Sequence, residues 1–109
     1  MRLPASFSKI KTVVLGKRYD LSVAFLSPAK MRAITLRTKK KNKTSNVLSF
    51  PLFKTSGEIL ICKAAAKPYS VEFLFIHGLL HLKGLKHGAI MEREEDRLLK
   101  RFGFSRTNG

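Results

Sequence analysis

The chain has three histidines, and all of them lie in the segment HGLLHLKGLKH at positions 77–87. His77 and His81 are four residues apart, so on an α-helix their side chains project from one face, about 6 Å apart at Cβ. His87 follows Gly84, and a turn at that glycine would bring the third ring back towards the other two. Three imidazole nitrogens around a tetrahedral ion leave one position for water, which is the arrangement of catalytic zinc sites.

Two other interpretations of the histidines compete with a metal site. A single histidine on an apolar helix is usually a hydrogen-bonded core residue, but three histidines at this spacing favour a shared ion. The same spacing occurs in the metzincin peptidases, whose motif is HExxHxxGxxH. Gly78 stands where those enzymes carry the glutamate that takes a proton from water, so peptide hydrolysis by that route is disfavoured.

Three helices are indicated by their terminal residues. The histidine helix is predicted to begin after Ser70, which can cap it, and to end near residue 83 at Gly84. The segment AIMEREEDRLLKRF has acids in its first half and bases in its second, as the helix dipole favours, and Gly103 follows it. The segment SPAKMRAITLR (27–37) begins with a serine cap and a proline suited to the first helical position.

Short apolar or alternating segments predict strands. These are YDLSVAFLS (19–27), VLSFPLF (47–53) and EILIC (58–62), with a further strand considered at KIKTVVLG (9–16). A proline within the second of these segments limits it to an edge position. Strands mixed with helices at this size indicate the α+β class, with a small mixed sheet packed with helices and a central helix that carries the histidines.

The composition favours a polyanionic partner. Lys and Arg number 22 against seven Asp and Glu, which gives a net charge of +15. Nucleic acid and anionic membrane both fit such a charge, but no stretch of 18 apolar residues and no secretory signal is present, so we expect a cytoplasmic protein without a membrane partner. A length of 109 residues predicts a single domain over 1–109. Cys62 is the only cysteine and is expected to be a small buried residue at the end of a strand.

Together with TSNVLSFP (44–51) and GEILIC (57–62), the histidine segment resembles the YbeY endoribonucleases, whose pattern is H-G-x-L-H-L-x-G-x-D-H. The resemblance extends from about Tyr19 to Gly103, and the three motifs occur in the family's order. It implies a metal-dependent endoribonuclease that acts in maturation of the 3′ end of 16S ribosomal RNA and in ribosome quality control. It also implies ribosomal RNA, the small ribosomal subunit and its proteins as partners.

The resemblance also implies roles for particular residues. His77, His81 and His87 fall on the zinc-ligand positions, with one ion per chain, although three imidazoles also accept other divalent transition metals. The family has an aspartate immediately before the third histidine, where this chain has Lys86. That exchange removes a carboxylate that could orient a ligand and places a positive charge near the ion, so metal affinity is expected to be weakened.

A basic segment, TKKKNKTSN (38–46), is predicted to be an exposed loop. The family keeps an arginine in the corresponding loop, Y-R-G-K-D-K-P-T-[DN], where it is thought to contact RNA phosphate. An alignment without gaps places Lys39 at that position, and Arg37 is two residues away. We treat Lys39 and Arg37 as alternative candidates for the phosphate contact, because lysine keeps the charge but lacks the bidentate geometry of arginine. The remaining lysines are expected to supply diffuse attraction.

The sequence is also compatible with two alternative functions. The first is an RNA-binding or ribosome-associated protein in which zinc only holds the C-terminal region in place. The second is a metal-dependent hydrolase of a substrate other than nucleic acid, which would use the same ion without the basic segment.

Overall fold

The computed structural model of the chain describes residues 3–108. The predicted domain, 1–109, also includes Met1, Arg2 and Gly109, which lie outside the described residues. Within residues 3–108 the elements are α1 (Ala5–Leu15), β1 (Asp20–Phe25), α2 (Pro28–Lys39), β2 (Val47–Phe53), β3 (Ser56–Ile61), a 3₁₀ turn (Lys63–Ala65), α3 (Val71–Lys83) and α4 (Ala89–Phe102). The predicted α+β class, with a small mixed sheet and helices, is confirmed.

The sheet has β3 at its centre, with β1 paired parallel to it on one side and β2 paired antiparallel on the other. Pro51 therefore lies in an edge strand, as expected for a residue without a backbone N–H to donate. Ile59 and Ile61 of β3 are fully buried in the main core with α3, whereas Leu60 is buried in a second cluster with Met31 of α2. Alternate residues of the central strand thus bury opposite faces of the sheet.

The helix α3 is the central helix, because it packs against α1, α4, β2 and β3. It begins where the hydroxyl of Ser70 accepts a hydrogen bond from the amide of Phe73 at 3.0 Å, and it ends at Gly84, which has a φ of +108°. Both ends agree with the prediction. No helix in the described part of the chain is both long and apolar enough to span a bilayer.

The N-terminal segment is a helix, and the strand considered at 9–16 is wrong. Phe7, Ile10 and Val14 are all buried and lie at helical spacing on one face of α1. Phe7 stacks on Phe75 of α3 with the ring centroids 4.2 Å apart. Packing on α3 therefore overrides the local β preference of the pair of valines at the end of the segment.

The basic segment 38–46 is only partly a loop, because α2 continues to Lys39 and ends at Lys40, whose φ is +59°. Ser45 is buried and its hydroxyl accepts a hydrogen bond from the hydroxyl of Thr35 at 2.9 Å. This contact ties the end of the segment to α2. Cys62 is fully buried directly after β3, as expected for a small apolar residue there.

Candidate metal centre

Helix α3 places His77 and His81 on the same face, one turn apart. Their ring centroids are 4.6 Å apart, and the two Nε2 atoms approach to 3.1 Å. Two nitrogens bound to one tetrahedral ion at about 2.0–2.1 Å would lie about 3.3 Å from each other. The observed spacing is therefore close to that required for both rings to bind one ion.

The turn at Gly84 brings His87 back to this pair. The amide of Leu85 donates to the carbonyl oxygen of Leu80 at 3.0 Å, which closes the C-terminal turn of the helix. The ring of His87 then lies 5.1 Å from that of His77 and 4.6 Å from that of His81, measured between centroids. One nitrogen from each ring lies within 4.8 Å of the others. The predicted convergence of the three rings is thus present.

Two of the rings are oriented by hydrogen bonds on their outer nitrogens. Nδ1 of His81 lies 3.1 Å from the carbonyl oxygen of Leu85, which can only accept, so this nitrogen carries the proton. Nδ1 of His77 lies 2.6 Å from a carboxylate oxygen of Glu95. With both Nδ1 atoms donating, the neutral form of each ring has its lone pair on Nε2, and the two Nε2 atoms face each other. Such a pair is stabilised by a cation between them, so these residues fit a bound metal.

Glu95 is the functional residue that the sequence analysis missed. It lies on α4, its side chain is 3% exposed, and its second oxygen is 3.4 Å from Nη1 of Arg106. Arg106 also donates to Asp96 at 2.7 Å, and this hydrogen bond, followed by the charges of Asp96 and Glu95, raises the pKa of Arg106. Position 86, where the family has an aspartate, is an exposed lysine in this chain. Glu95 instead supplies a carboxylate to His77 from α4.

A sequence signal for Glu95 was available. Met91, Glu95 and Leu98 have helical spacing on α4, and all three are buried, with exposed fractions of 1%, 2% and 0%. A carboxylate on the apolar stripe of an amphipathic helix requires a partner inside the fold. This pattern could have identified Glu95 as a residue that contacts the histidines.

Burial lowers the pKa of His81, and the neighbouring His77 adds to this effect through its charge. A lower pKa favours the neutral imidazole, which is the form that binds a metal. The local environment of His81 therefore favours the protonation state that coordination requires.

The three rings open into a cavity of about 440 Å³. Lys39, Lys41 and Lys43 line one side of it, and the motif segment 45–49 contributes four lining residues: Ser45, Val47, Leu48 and Ser49. Arg37 is exposed and does not line this cavity. Of the two candidates for a phosphate contact, the structure thus places Lys39 beside the histidines.

Gly78 is explained by packing. A Cβ atom at this position would lie 3.0 Å from the hydroxyl of Ser49 and 3.1 Å from two carbons of Ile59. The Ser49 hydroxyl also donates to the Gly78 carbonyl oxygen at 3.2 Å. The helix therefore approaches the sheet closely at the turn between His77 and His81, and a larger residue there would push the two rings away from the cavity.

We expect Gly78→Ala to lower the free energy of unfolding by about 1–2 kcal/mol, because overpacking outweighs the gain of up to about 1 kcal/mol in helix propensity. Ile59 is fully buried and has little room to retreat. Urea denaturation would measure the change. Lys83→Ala, at an exposed position of the same helix, is the matched control and should leave stability nearly unchanged. A Gly78→Ala protein as stable as wild type would contradict the close approach of helix and sheet.

Comparisons with known proteins agree on one family. The family model described as Endoribonuclease YbeY matches residues 5–103. A protein of Sulfurimonas denitrificans named Endoribonuclease YbeY is 35% identical over 116 residues, covering 91% of this chain and 82% of that protein. A protein of the same name from Rubrobacter xylanophilus is 38% identical over 80 residues, covering 70% of this chain but only 58% of that protein.

A solved structure shows a similar fold. The solution structure of a protein from Thermotoga maritima superposes with a TM-score of 0.60 at 21% identity, covering 89% of this chain and 76% of that one. At this identity the similarity concerns the fold, which is shared over most of both chains.

Proposed function

Because the chain belongs to the YbeY endoribonuclease family, we propose that it is a metal-dependent endoribonuclease in which His77, His81 and His87 bind one zinc ion. The observation that carries this proposal is the convergence of three ring nitrogens within 4.8 Å beside a lysine-lined cavity. A bound divalent metal would polarise a phosphodiester oxygen or lower the pKa of a water molecule. Other divalent transition metals also accept three imidazoles, and metal analysis of untagged protein would identify the native one.

The chain's own residues hold the site in position. Glu95 and the carbonyl of Leu85 fix two ring orientations, so that both Nε2 atoms point to the same place. Three protein ligands leave one tetrahedral position open towards the cavity for water or a phosphate oxygen. The alternative in which zinc only holds the C-terminal region in place requires no open position at the ion. Structural zinc sites are typically closed by four protein ligands.

Lys39, supported by Lys41 and Lys43, is proposed to hold the RNA backbone next to the scissile phosphate. All three line the cavity that the histidines line. Among the described residues no carboxylate lines this cavity, so a phosphate entering it meets only neutral or positive groups. Arg37, the alternative candidate, would contact RNA outside this cavity.

We expect Lys39→Ala to weaken binding of a single-stranded RNA about fivefold and to reduce the slope of log affinity against log salt by about 0.7–0.9, because one phosphate contact is lost. Fluorescence anisotropy at several salt concentrations would measure both. Lys30→Ala, an exposed lysine at the other end of α2, is the matched control. A larger loss with Arg37→Ala than with Lys39→Ala would transfer the role to Arg37.

The substrate proposed is ribosomal RNA, with cleavage during maturation of the 16S 3′ end in the cytoplasm and with the small ribosomal subunit as the partner. The net charge of +15 and family membership support this proposal. Single-turnover cleavage of a 16S 3′-end fragment, with and without zinc, is the test. Intact RNA in both conditions, with binding retained, would favour the RNA-binding alternative. Weak binding that does not respond to salt would favour a substrate other than nucleic acid.

A further inference from the structure

A second cavity, of about 300 Å³, adjoins the first across the histidines. His77, His87 and Val47 line both cavities, so the two cavities are neighbours at the candidate metal centre. The second cavity lies between α3, α4 and the C-terminal residues. Besides the two histidines, its polar lining is Asn46, Tyr69, Glu92, Glu95 and Arg106. Nothing in the proposed phosphate contacts uses these five side chains.

The two cavities have opposite charge. The first is lined by three lysines, whereas the second is lined by two carboxylates and by Arg106, which already pairs with Glu95 and Asp96. Apart from the histidines and any metal they hold, Glu92 is the charged group of this lining that has no ion-pair partner among residues 3–108, and its negative charge disfavours a second phosphate there. A neutral ligand that hydrogen-bonds to a carboxylate suits this cavity.

Flat groups at this cavity suit a planar ligand. The rings of Tyr69 and Phe73 are 5.1 Å apart and tilted by 31°, and the guanidinium carbon of Arg106 lies 4.5 Å from the centre of the Phe73 ring. The guanidinium is held there by its two carboxylate partners. Phe73 is buried beneath these two groups, whereas Tyr69 and Arg106 are half-buried and offer their outer surfaces to the cavity. Unpaired RNA bases stack on tyrosine rings and on arginine planes.

Hydrogen-bonding groups are also available at the cavity. The side chains of Glu92 and Asn46 line it, and neither side chain makes a hydrogen bond with another of the residues 3–108. A carboxylate has two acceptor oxygens and no donor when ionised. Guanine carries two adjacent N–H donor groups, N1–H and the 2-amino group, on one edge, and uracil offers a single N–H between two oxygens. A guanine edge therefore matches Glu92 better than a uracil edge.

We propose that this second cavity binds the nucleobase next to the phosphate at the histidines, with a preference for guanine over uracil read by Glu92. This inference rests on the proposed function, because it requires RNA in the adjoining cavity. The backbone would follow the lysines to the histidines, and the flanking base would turn into the space beside Tyr69 and Arg106. Glu92 and Tyr69 are thus specificity-determining residues.

The test compares two fluorescein-labelled 2′-fluoro RNA pentamers, UUGUU and UUUUU, binding to the zinc-loaded full-length protein. Fluorescence anisotropy gives the affinities, and a gel run after each titration checks that the pentamers are intact. We expect UUGUU to bind about tenfold more tightly, which is within the usual discrimination of a bidentate contact to a base. Glu92→Gln should reduce the ratio to below about threefold, because glutamine presents one acceptor and one donor in place of two acceptors.

Matched variants separate the base contact from charge and stacking. Glu94 lies on the same helix as Glu92, pairs with Arg97 and lines neither cavity. Glu94→Gln should therefore keep the tenfold ratio. Tyr69→Phe should keep both affinities, and Tyr69→Ala should lower both about fivefold with little change in their ratio. Equal affinities for the two pentamers in wild type, or equal ratios in Glu92→Gln and Glu94→Gln, would overturn the proposal.

The outcomes also distinguish this inference from the proposed function. Cleavage of the 16S fragment without a base preference overturns the base site and leaves the endoribonuclease. A tenfold preference that depends on Glu92, with no cleavage of any RNA, supports the base site and removes the endoribonuclease. Failure of both pentamers to bind at low salt overturns both.

Discussion

His81→Ala is expected to lower zinc affinity by more than about a hundredfold and to reduce single-turnover cleavage of the 16S fragment to background. Removing one of three nitrogens leaves two protein ligands, too few for the open tetrahedral site proposed here. The variant should still fold. The His81 side chain is only partly buried, and its one backbone contact, to the Leu85 carbonyl, is worth about 1 kcal/mol.

Zinc content of untagged protein after dialysis, urea denaturation and the cleavage assay would be measured together. Lys83→Ala, which changes an exposed residue one half-turn along the same helix, should match wild type in all three. If His81→Ala lost stability together with zinc and yet wild-type protein cleaved no RNA, the ion would be structural. If His81→Ala kept both zinc and cleavage, the three-histidine site would be refuted.

The histidine cluster could be predicted because its geometry is local. Helical spacing places His77 above His81, and a glycine in the left-handed region at position 84 reverses the chain within three residues of His87. No distant element is needed to bring these rings together. The serine caps of α2 and α3 were predictable for the same reason, because each depends on a side chain and an amide three residues later.

Glu95 was missed because its position depends on tertiary packing. It is 18 residues from His77 in sequence, and the contact exists only because α4 packs on α3 with one particular rotation about its axis. Sequence periodicity defines the buried face of α4, but not the residue on α3 that faces it. The misassigned strand at 9–16 has the same origin, since the helical stripe of α1 is short and its neighbour α3 is more than 50 residues away.

The distinction between Arg37 and Lys39 also depends on helix length. The sequence pattern predicts that α2 ends near residue 37, and this places both candidates in or beside a loop without a defined direction. In the structure α2 continues to Lys39, so Lys39 is four residues after the buried Thr35 and shares its face, whereas Arg37 is about 200° away from Thr35. Two further helical residues, about half a turn, determine which cation lines the cavity.

Glu95→Gln is expected to weaken zinc binding about 10–100-fold, the usual effect of losing a carboxylate that orients a metal-bound histidine. Glutamine preserves the size of the side chain and an oxygen acceptor for Nδ1 of His77. It removes the negative charge that makes the imidazole a stronger ligand and that pairs with Arg106. Cleavage at limiting zinc should fall in proportion, and excess zinc should restore most of it.

Glu95→Ala separates orientation of the ring from stability of the fold. Removing the side chain leaves Nδ1 of His77 and Nη1 of Arg106 without the oxygen that accepts from them, so we expect the free energy of unfolding to fall by about 3 kcal/mol in the absence of metal. Glu94→Gln changes a neighbouring carboxylate of α4 that pairs with Arg97 among the described residues, and it should change neither property. Competition with a zinc-binding dye would measure affinity, and denaturation in the presence of a chelator would measure stability. Zinc affinity in Glu95→Gln equal to that of Glu94→Gln would show that the carboxylate only packs α4 against α3, because a group that tunes the ligand must affect the ion.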